Sequence, residues 1–300
     1  MISIKRKSLG DIIMDVVVYV ILTVLSILMV IPFIYVIAAS FSDEVFMAKT
    51  PMFLLPLKFT PNGVESHFSV EAYKTVFTGS TSQQVIRSLF VSIGITVIGT
   101  LINLFFTATM AYGLSRSDLV GKKAMLNIVL FTMVFGGGMI PTFLLVRNLG
   151  MYDTYASLII PGAISAYNML IVRNFFIELP QGLEEAASID GCTDIGIFVK
   201  IALPLSLPCL ATFGLMYAVG HWNGYMTALL YLNDSKKYPF QLVLRNLVTQ
   251  TAQDQIEGQE LPEETLKMAV IVIGTVPILC VYPFLQKHFA AGVMVGAIKG

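Results

Sequence analysis

The chain has 300 residues, of which 56% are hydrophobic and 13% are charged, with a mean hydropathy of +0.77. Soluble globular proteins carry about 25% charged residues, so this composition excludes an ordinary soluble domain and predicts an integral membrane protein. Lysine plus arginine equals aspartate plus glutamate at 19 each, which argues against a nucleic-acid partner.

Six apolar runs are long enough to cross a bilayer as helices, which takes about 20 apolar residues. We place them at about 16–41, 86–113, 124–146, 155–172, 205–232 and 266–285. The sequence therefore predicts an all-α integral membrane protein with six transmembrane helices, forming a single domain over residues 1–300.

Basic residues near the first run set the predicted orientation. Lys5, Arg6 and Lys7 precede it, and the run exceeds the roughly 7–15 apolar residues of a signal peptide, which indicates an uncleaved span. The short loop Leu114–Lys123 carries three more cations. Because cytoplasmic loops are rich in lysine and arginine, we expect both termini, including a tail at 286–300, to be cytoplasmic.

Two long polar segments, 42–84 and 233–265, then fall on the outer face. Each is longer than a turn between helices needs. We expect a helix around Val70 to Phe77 in the first segment and little other regular structure there. Contact with an extracytoplasmic protein and a plain solvated loop are the two interpretations for both segments.

Two features interrupt the apolar runs. Asn103 lies near the middle of the second run, where an amide bonds a neighbouring helix or, alternatively, contacts substrate. The third run contains Phe135-Gly136-Gly137-Gly138 followed by Pro141. In a membrane bundle this pattern predicts close helix approach or a local unwinding that faces a cavity.

Residues 179–204, called here the 179–204 loop, are polar but patterned like two short helices. Pro180 suits a first helical turn, and Glu184 and Glu185 favour the positive end of the helix dipole. Gly191 is placed to end this helix. One helix face is expected to carry Leu183, Ala186, Ala187 and Asp190.

The second predicted helix of the 179–204 loop covers Asp194 to Leu203. Thr193 is placed to cap it, and Pro204 is expected to stop it. The result would be a helix–turn–helix at the cytoplasmic surface with small residues at its exposed turn. An ordinary amphipathic interfacial loop is the alternative from these residues alone.

The spacing of residues in the 179–204 loop resembles the EAA loop of ABC-importer permeases. Glu185-Ala186-Ala187 is followed after three residues by Gly191, and after nine more by Ile201 and then Leu203-Pro204. Its place between the fourth and fifth runs also fits. The resemblance implies a type I ABC importer permease fold, with this loop forming the coupling helix that sits in a cleft of the ATPase.

Two further motifs extend the resemblance to the carbohydrate permeases of the maltose-permease class. Trp222-Asn223 is similar to a W-N pair of that class, and Gly292 with 296–300 is similar to the G-x-x-x-G-A-x-K-G ending of its second subunit. The segment Phe135–Thr142 resembles the corresponding segment in one branch of this class, and that branch is associated with complex oligosaccharides. The resemblance implies these ATPase-coupling residues: Glu185, Ala186, Ala187, Asp190, Gly191, Ile201, Pro204, Lys299 and Gly300.

The resemblance also implies the partners. They are a second homologous permease subunit, two ATP-binding subunits, an extracytoplasmic solute-binding protein, an oligosaccharide and membrane lipid, in a bacterial cytoplasmic membrane. The sequence has no G-x-x-x-x-G-K-S/T motif, so it is not expected to hydrolyse ATP itself. No cofactor is expected on this chain, and ATP and magnesium would bind the partner ATPases.

Sugar contacts are expected from aromatic faces and neutral hydrogen-bonding groups at membrane depth. The alternative interpretation of each candidate is a residue packed between helices or placed at the membrane interface. The candidates are Tyr167, Asn168, Trp222, Asn223 and Tyr225.

Three other functions were weighed against a sugar permease. The W-N pair and the G-A-x-K-G tail favour a sugar permease over an ABC permease for an amino acid or phosphate. An ion-coupled secondary transporter would need an ionisable side chain within a span, and none of the six runs has a mid-span Asp, Glu, Lys or Arg. An intramembrane enzyme would need paired carboxylates, a Ser/His dyad or a metal cluster, which the runs do not suggest.

Overall fold

The computed structural model of the chain describes residues 9–50, 53–60, 63–79, 82–249 and 264–297, with side chains described for all of these except 59, 60, 181 and 282–297. The chain divides into two compact units. The first unit comprises Met1–Ser82 and Leu247–Thr275, and the second comprises Gln83–Asn246 and Val276–Gly300.

The described part of the first unit combines one long helix with short helices and a two-stranded sheet. Its described elements are α1 (Leu9–Ser40), α2 (Glu44–Lys49), β1 (Leu57–Thr60), β2 (Gly63–Ser66), α3 (Glu71–Thr78) and the beginning of α15 (Glu264–Ala297). Its apolar core forms around Ala39 and Phe46, against which Met268 of α15 packs. Asp43 caps α2 by accepting from Phe46 N at 2.6 Å, and α3 lies where the sequence predicts a helix.

The prediction of an all-α fold is wrong in one place. Strands β1 and β2 pair as an antiparallel hairpin, with Leu57 opposite Ser66 and Phe59 opposite Val64. Thr60 pairs with Gly63 at the end of the ladder. The described residues of segment 42–84 therefore contain more regular structure than expected, while the described chain is mostly helical.

The second unit contains the remaining helices. They are α4 (Ser82–Ser115), α5 (Lys122–Val134), α6 (Met139–Asn148), α7 (Ala156–Ile159) with a 3₁₀ turn (Ile160–Gly162), α8 (Ala166–Ile177), α9 (Gln181–Ile189), α10 (Asp194–Ile197), a π turn (Phe198–Ala202), α11 (Leu203–Leu205), α12 (Leu207–Asn223), α13 (Met226–Tyr231), a 3₁₀ turn (Ser235–Lys237), α14 (Phe240–Thr249) and the rest of α15.

Three of the described helices are long and apolar enough to cross a membrane unbroken: α1, α4 and the Glu264–Val281 part of α15. Three bent helix pairs pass the same test of length and apolar composition: α5 with α6 at 118°, α7 and its turn with α8 at 51°, and α10–α11 with α12 at 79°. Counting each pair as one span gives six. The predicted runs match these positions, except that the fifth run is interrupted between Asn223 and Met226.

The glycine triplet produces the sharpest of these bends. Residues 135–138 are not helical, and Gly138 has a φ of +83°, which a residue with a side chain adopts only with strain. A Cβ at Gly136 or Gly138 would meet nothing within 4 Å. Of the two expectations for this motif, the local unwinding is observed, although residues 135–138 line none of the described cavities, and close helix approach is absent around these two glycines.

The core of the second unit forms where α4, α8 and α12 meet. Ala111, Met169 and Val172 are fully buried in it, and Phe213 of α12 is 6% exposed. The apolar face of α5 contributes Val129. This core fixes the ends of the helices that flank the 179–204 loop.

A neutral polar network joins α4 to the break in the fourth span. Asn103 Nδ2 donates to the carbonyls of Gly162 (2.6 Å) and Ala163 (3.0 Å). Its Oδ1 is then left to accept from His221 Nε2 of α12 at 2.6 Å. Tyr217 OH completes the network by accepting from Ser165 N at 3.3 Å. The expectation that Asn103 bonds a neighbouring helix is confirmed.

We predict that Gly99→Ala destabilises the protein by about 1–3 kcal/mol, because an added Cβ would lie 2.5 Å from His221 Nε2 and push the ring away from Asn103. Gly94→Ala in the same helix meets nothing within 4 Å. That variant should gain up to about 1 kcal/mol of helix propensity. Thermal unfolding of the purified protein in detergent distinguishes them, and equal midpoints would contradict the packing seen at Gly99.

Candidate functional site

The 179–204 loop begins with α9, whose two ends are set by local chemistry. Pro180 has a φ of −60° and directly precedes the helix. At the other end Gly191 adopts a φ of +81°, with Gly191 N donating to Ser188 O (3.0 Å) and Cys192 N to Ala187 O (2.9 Å). This pair of bonds is a Schellman cap, which satisfies carbonyls that the helix leaves free. The predicted helix end at Gly191 is confirmed.

The second helix of the 179–204 loop starts as predicted and continues further. Thr193 Oγ1 accepts from Gly196 N at 3.2 Å and caps α10. Pro204 does not stop the helix: the backbone widens into the π turn Phe198–Ala202 and runs on to Leu205. Because proline lacks an N–H and its ring crowds the carbonyl four residues earlier, the wider turn upstream accommodates it. The chain then bends by 79° into α12.

The faces of α9 differ from the predicted arrangement in one residue. Ala186 and Asp190 are exposed, as is Glu185, whereas Ala187 is only 7% exposed and packs inside the chain. Apolar side chains are nevertheless prominent on the outside of the loop, with Ile189 86% exposed and Ile195 76% exposed. The outside of α9 therefore includes Ala186 but excludes Ala187.

An ion pair ties α9 to the end of α4. Arg116 Nη1 donates to Glu184 Oε2, and both side chains are largely covered, at 28% and 16% exposed. They line a small cavity of about 240 Å³ together with Asp118 and Glu185. Glu185 itself is exposed, so the carboxylate that fixes α9 to its own chain is the residue before the predicted motif.

An aromatic cluster lies beside this ion pair. Tyr112 of α4 stands 4.7 Å from the Phe198 ring centroid and 5.5 Å from that of Phe176. The Arg116 guanidinium lies 4.4 Å from the Tyr112 ring centroid, within the range of a cation–π contact. The two arms of the 179–204 loop thus meet the same end of α4, one through Glu184 and one through Phe198.

The proposed sugar contacts do not share a described cavity. Trp222 is 7% exposed and lines an apolar cavity of about 420 Å³ between α4, α12 and α15, while Asn168 is buried beside the helix start at Ser165. Tyr167, Asn223 and Tyr225 are exposed. Each described cavity is lined by at most one of these five residues.

A different cavity collects polar groups within the spans. It has a volume of about 270 Å³ and is lined by Asn103, Tyr217, His221 and Thr227. These side chains come from α4, α12 and α13, with Gly162 from the fourth span. Of the residues singled out from the sequence, Asn103 is the one that this cavity includes.

At the opposite end of the spans, Asp153 holds the start of the 233–265 segment. Its Oδ2 accepts from Lys237 Nζ at 2.6 Å and its Oδ1 from Asn233 N at 2.9 Å. The Lys237 hydrogen bond, with those from the Asn233 and Asp234 amides, lowers the pKa of Asp153 to about 2. The same contact raises the pKa of Lys237. Asp153 has a φ of +56°, a conformation that Asp and Asn tolerate better than most residues.

Some predicted site residues lie outside the described part of the chain. These are Lys299 and Gly300, together with 250–263 of the second outer segment. Ile201 and Pro204 lie in the π turn and in α11 respectively.

Sequence reasoning missed two contacts that organise these sites, Arg116 with Glu184 and Asn103 with His221. Arg116 and Glu184 are 68 residues apart, and Asn103 and His221 are 118 apart. No local spacing links such pairs. The only available signal was the polarity of each residue at the end of, or inside, an apolar run.

Comparison with known proteins identifies the class of molecule. Residues 119–295 match the family described as binding-protein-dependent transport system inner membrane component, and the chain belongs to this family. It is 48% identical over 292 residues to the polygalacturonan/rhamnogalacturonan transport system permease protein YtcP of Bacillus subtilis (strain 168), covering 95% of this chain and 98% of that protein. It is 51% identical over 276 residues to protein LplC of the same organism, covering 90% of each.

The fold agrees with this assignment. The chain matches a chain in the crystal structure of a bacterial ABC transporter involved in the import of the acidic polysaccharide alginate, with a TM-score of 0.84 and 31% identity. The match covers 95% of this chain and 99% of the other. The mostly helical fold is therefore that of an ABC importer membrane component, and the family resemblance seen in the sequence is confirmed.

We predict that Asp153→Asn loosens the start of the 233–265 segment at neutral pH. Asparagine keeps the φ of +56° and an oxygen for the Asn233 amide but loses the charge that pairs with Lys237. Hydrogen exchange of 233–237 should become several-fold faster, and equally so in Lys237→Gln. The exposed Lys236→Gln serves as the control and should leave exchange unchanged.

The pH dependence of this contact follows from the depressed pKa of Asp153. Its stabilising contribution is complete above the ordinary pKa of 3.8 and is lost as the pH falls from there through about 2. Protection of 233–237 should therefore be constant from neutral pH down to about 5. Loss of protection above that pH would show that the ion pair does not hold the segment.

Proposed function

We propose that this chain is a transmembrane permease subunit of an ATP-driven importer that takes up an oligosaccharide delivered by an extracytoplasmic binding protein. The near full-length identity of 48% with YtcP is the observation that carries the proposal. The match of the fold to an alginate importer over 95% of the chain supports it independently.

The substrate class we infer is an acidic oligosaccharide. Polygalacturonan and alginate, named for the relative and for the structural neighbour, are polymers of uronic acids. The sequence resemblance to a branch associated with complex oligosaccharides points the same way. A non-sugar solute is the less favoured alternative, as is an ion-coupled transporter, since the runs hold no mid-span Asp, Glu, Lys or Arg.

ATP and magnesium belong, in this proposal, to two partner ATPase subunits, because the sequence lacks a phosphate-binding loop. A second permease subunit completes the pore, and both termini face the cytoplasm. Closure of the ATPases on ATP moves the 179–204 loop, and the spans rock between inward-open and outward-open states. The coupling is a difference in ATPase-dimer affinity between the two pore states.

Within the chain, we assign docking on the ATPases to the exposed part of the 179–204 loop. Glu185, Ala186 and Asp190 are exposed on α9, and the neighbouring apolar side chains Ile189 and Ile195 enlarge that surface. The cap at Gly191 gives the loop its shape. Ile201, Pro204, Lys299 and Gly300 remain proposed coupling residues, and Tyr167, Asn168, Trp222, Asn223 and Tyr225 remain proposed substrate contacts.

Reconstitution tests the proposal directly. The chain is co-expressed with its neighbouring permease and ATPase subunits, purified as a complex, and assayed for ATPase activity with the binding protein and a panel of oligosaccharides. We expect oligogalacturonides or related uronate oligomers to stimulate hydrolysis and neutral maltodextrins not to do so. A complex that is stimulated by no sugar, or that assembles without ATPase subunits, would refute it.

We predict that Ala186→Trp weakens binding of the ATPase subunits roughly 5- to 150-fold, because overpacking a fitted contact costs about 1–3 kcal/mol. Ala186 is exposed, so folding of the chain itself should be preserved. Thr154→Trp places the same bulk on an exposed residue at the other end of the spans. Affinity of the permease for the isolated ATPase is the measurement, and equal affinities for the two variants would remove α9 from the docking surface.

A further inference from the structure

We propose that Arg116 and Glu184 are positioning residues that transmit the displacement of α9 to α4. The inference rests on the proposed function, since it concerns how ATPase docking reaches the membrane-spanning part of this chain. It assigns to the end of α4 a role that the sequence motif does not mark.

The contact between the two helices is charged and mostly covered. Arg116 follows the last residue of α4 and donates to Glu184 in the first turn of α9. The second oxygen of Glu184, Oε1, is buried without a hydrogen-bond partner among the described residues. A covered ion pair of this kind resists separation, because parting the two groups would leave an uncompensated charge in a poorly solvated place.

Arg116 is itself held in place from the α4 side. Its Nε and Nη2 both donate to Ser115 Oγ at 3.1 Å, and its guanidinium lies over the Tyr112 ring. Tyr112 in turn packs on Phe198, in the other arm of the loop. A movement of either arm of the 179–204 loop is therefore transmitted to the same last turn of α4.

The end of α4 is anchored by two further cations. Lys122 Nζ donates to the carbonyl of Arg116 at 2.6 Å, and Arg173 Nε donates to the carbonyl of Leu114 at 2.8 Å. These bonds satisfy carbonyls that the helix terminus leaves free and place positive charge at its negative end. The last turn of α4 is thus fixed to α5 and α8 and does not fray independently.

From this end α4 runs unbroken through the unit. Its 34 residues span about 50 Å at about 1.5 Å per residue, and its sequence contains no proline. The helix carries Asn103, which bonds the broken fourth span and His221 of α12. A shift of α9 passed to Arg116 therefore reaches the polar cavity through one rigid element.

The test uses charge reversal in the complete transporter, reconstituted in proteoliposomes with its partner permease, ATPases and binding protein. Arg116→Glu and Glu184→Arg should each lower oligogalacturonide transported per ATP hydrolysed by about tenfold, within the 5- to 150-fold range of typical coupling. The double swap should recover transport to within about threefold of wild type. Lys123→Gln and Glu178→Gln, at exposed charges close in sequence to Arg116 and Glu184, are the matched controls and should match wild type.

A second variant covers the case in which reversal prevents folding. Arg116→Gln combined with Glu184→Gln removes both charges without leaving one buried alone. With ATPases and a non-hydrolysable ATP analogue bound, hydrogen exchange should change in both α9 and α4 of the wild type, and in α9 only of this variant. A purely structural role for the pair would leave that pattern intact.

The outcomes separate the two proposals. If the wild-type complex binds no ATPase or is stimulated by no sugar, the proposed function fails. If the wild type transports but the single reversals do so equally well, the positioning role is overturned. A swap as poor as the single variants, or nucleotide-dependent exchange in α4 that persists in the neutral variant, overturns it as well.

Discussion

The hydrogen bonds of one buried side-chain amide, that of Asn103, hold helices of the second unit together. A membrane span that breaks its helix leaves backbone groups unpaired where no water is available, and each unpaired group costs several kcal/mol in lipid. Asn103 supplies donors to both carbonyls exposed by the break at Gly162 and Ala163, and its remaining oxygen accepts from His221. With a relative exposure of 1%, the side chain has no competing solvent. The broken fourth span, α4 and α12 are therefore held by one side chain through three hydrogen bonds.

The other breaks in the spans follow a different rule. The triplet Gly136–Gly138 interrupts the third span by removing side chains, and its residues are exposed. Pro204 and Pro208 flank the 79° bend before α12, and the π turn upstream accommodates Pro204. The glycine break therefore leaves residues 135–138 non-helical, whereas the proline-rich segment stays helical up to Leu205 and resumes at Leu207.

What the sequence predicted well was determined by near neighbours. The cap at Gly191 and the cap at Thr193 each depend on a few adjacent residues, and both are confirmed. Pro204 was misjudged because propensity ignores the wider turn that a neighbouring segment can adopt. Arg116–Glu184 and Asn103–His221 could not be predicted, since contacts between residues 68 and 118 positions apart depend on which helices pack together. The burial of Ala187 is of the same kind, because periodicity defines a face but not what covers it.

The placement of charge along the second unit bears on how energy is delivered. Ion pairs occur at both ends of the spans, Arg116–Glu184 beside α9 and Asp153–Lys237 beside the second long segment. Between them the described network is built from amide, phenol, hydroxyl and imidazole groups. Neutral hydrogen bonds exchange partners at much lower cost in a low-dielectric interior than ion pairs do, because no net charge is desolvated. In the second unit the contacts at the two ends therefore resist separation more than the neutral contacts between them do. Energy applied at an end can therefore rearrange the middle without breaking a salt bridge there, which suits a pore driven from outside the membrane more than one driven by an ion bound within it.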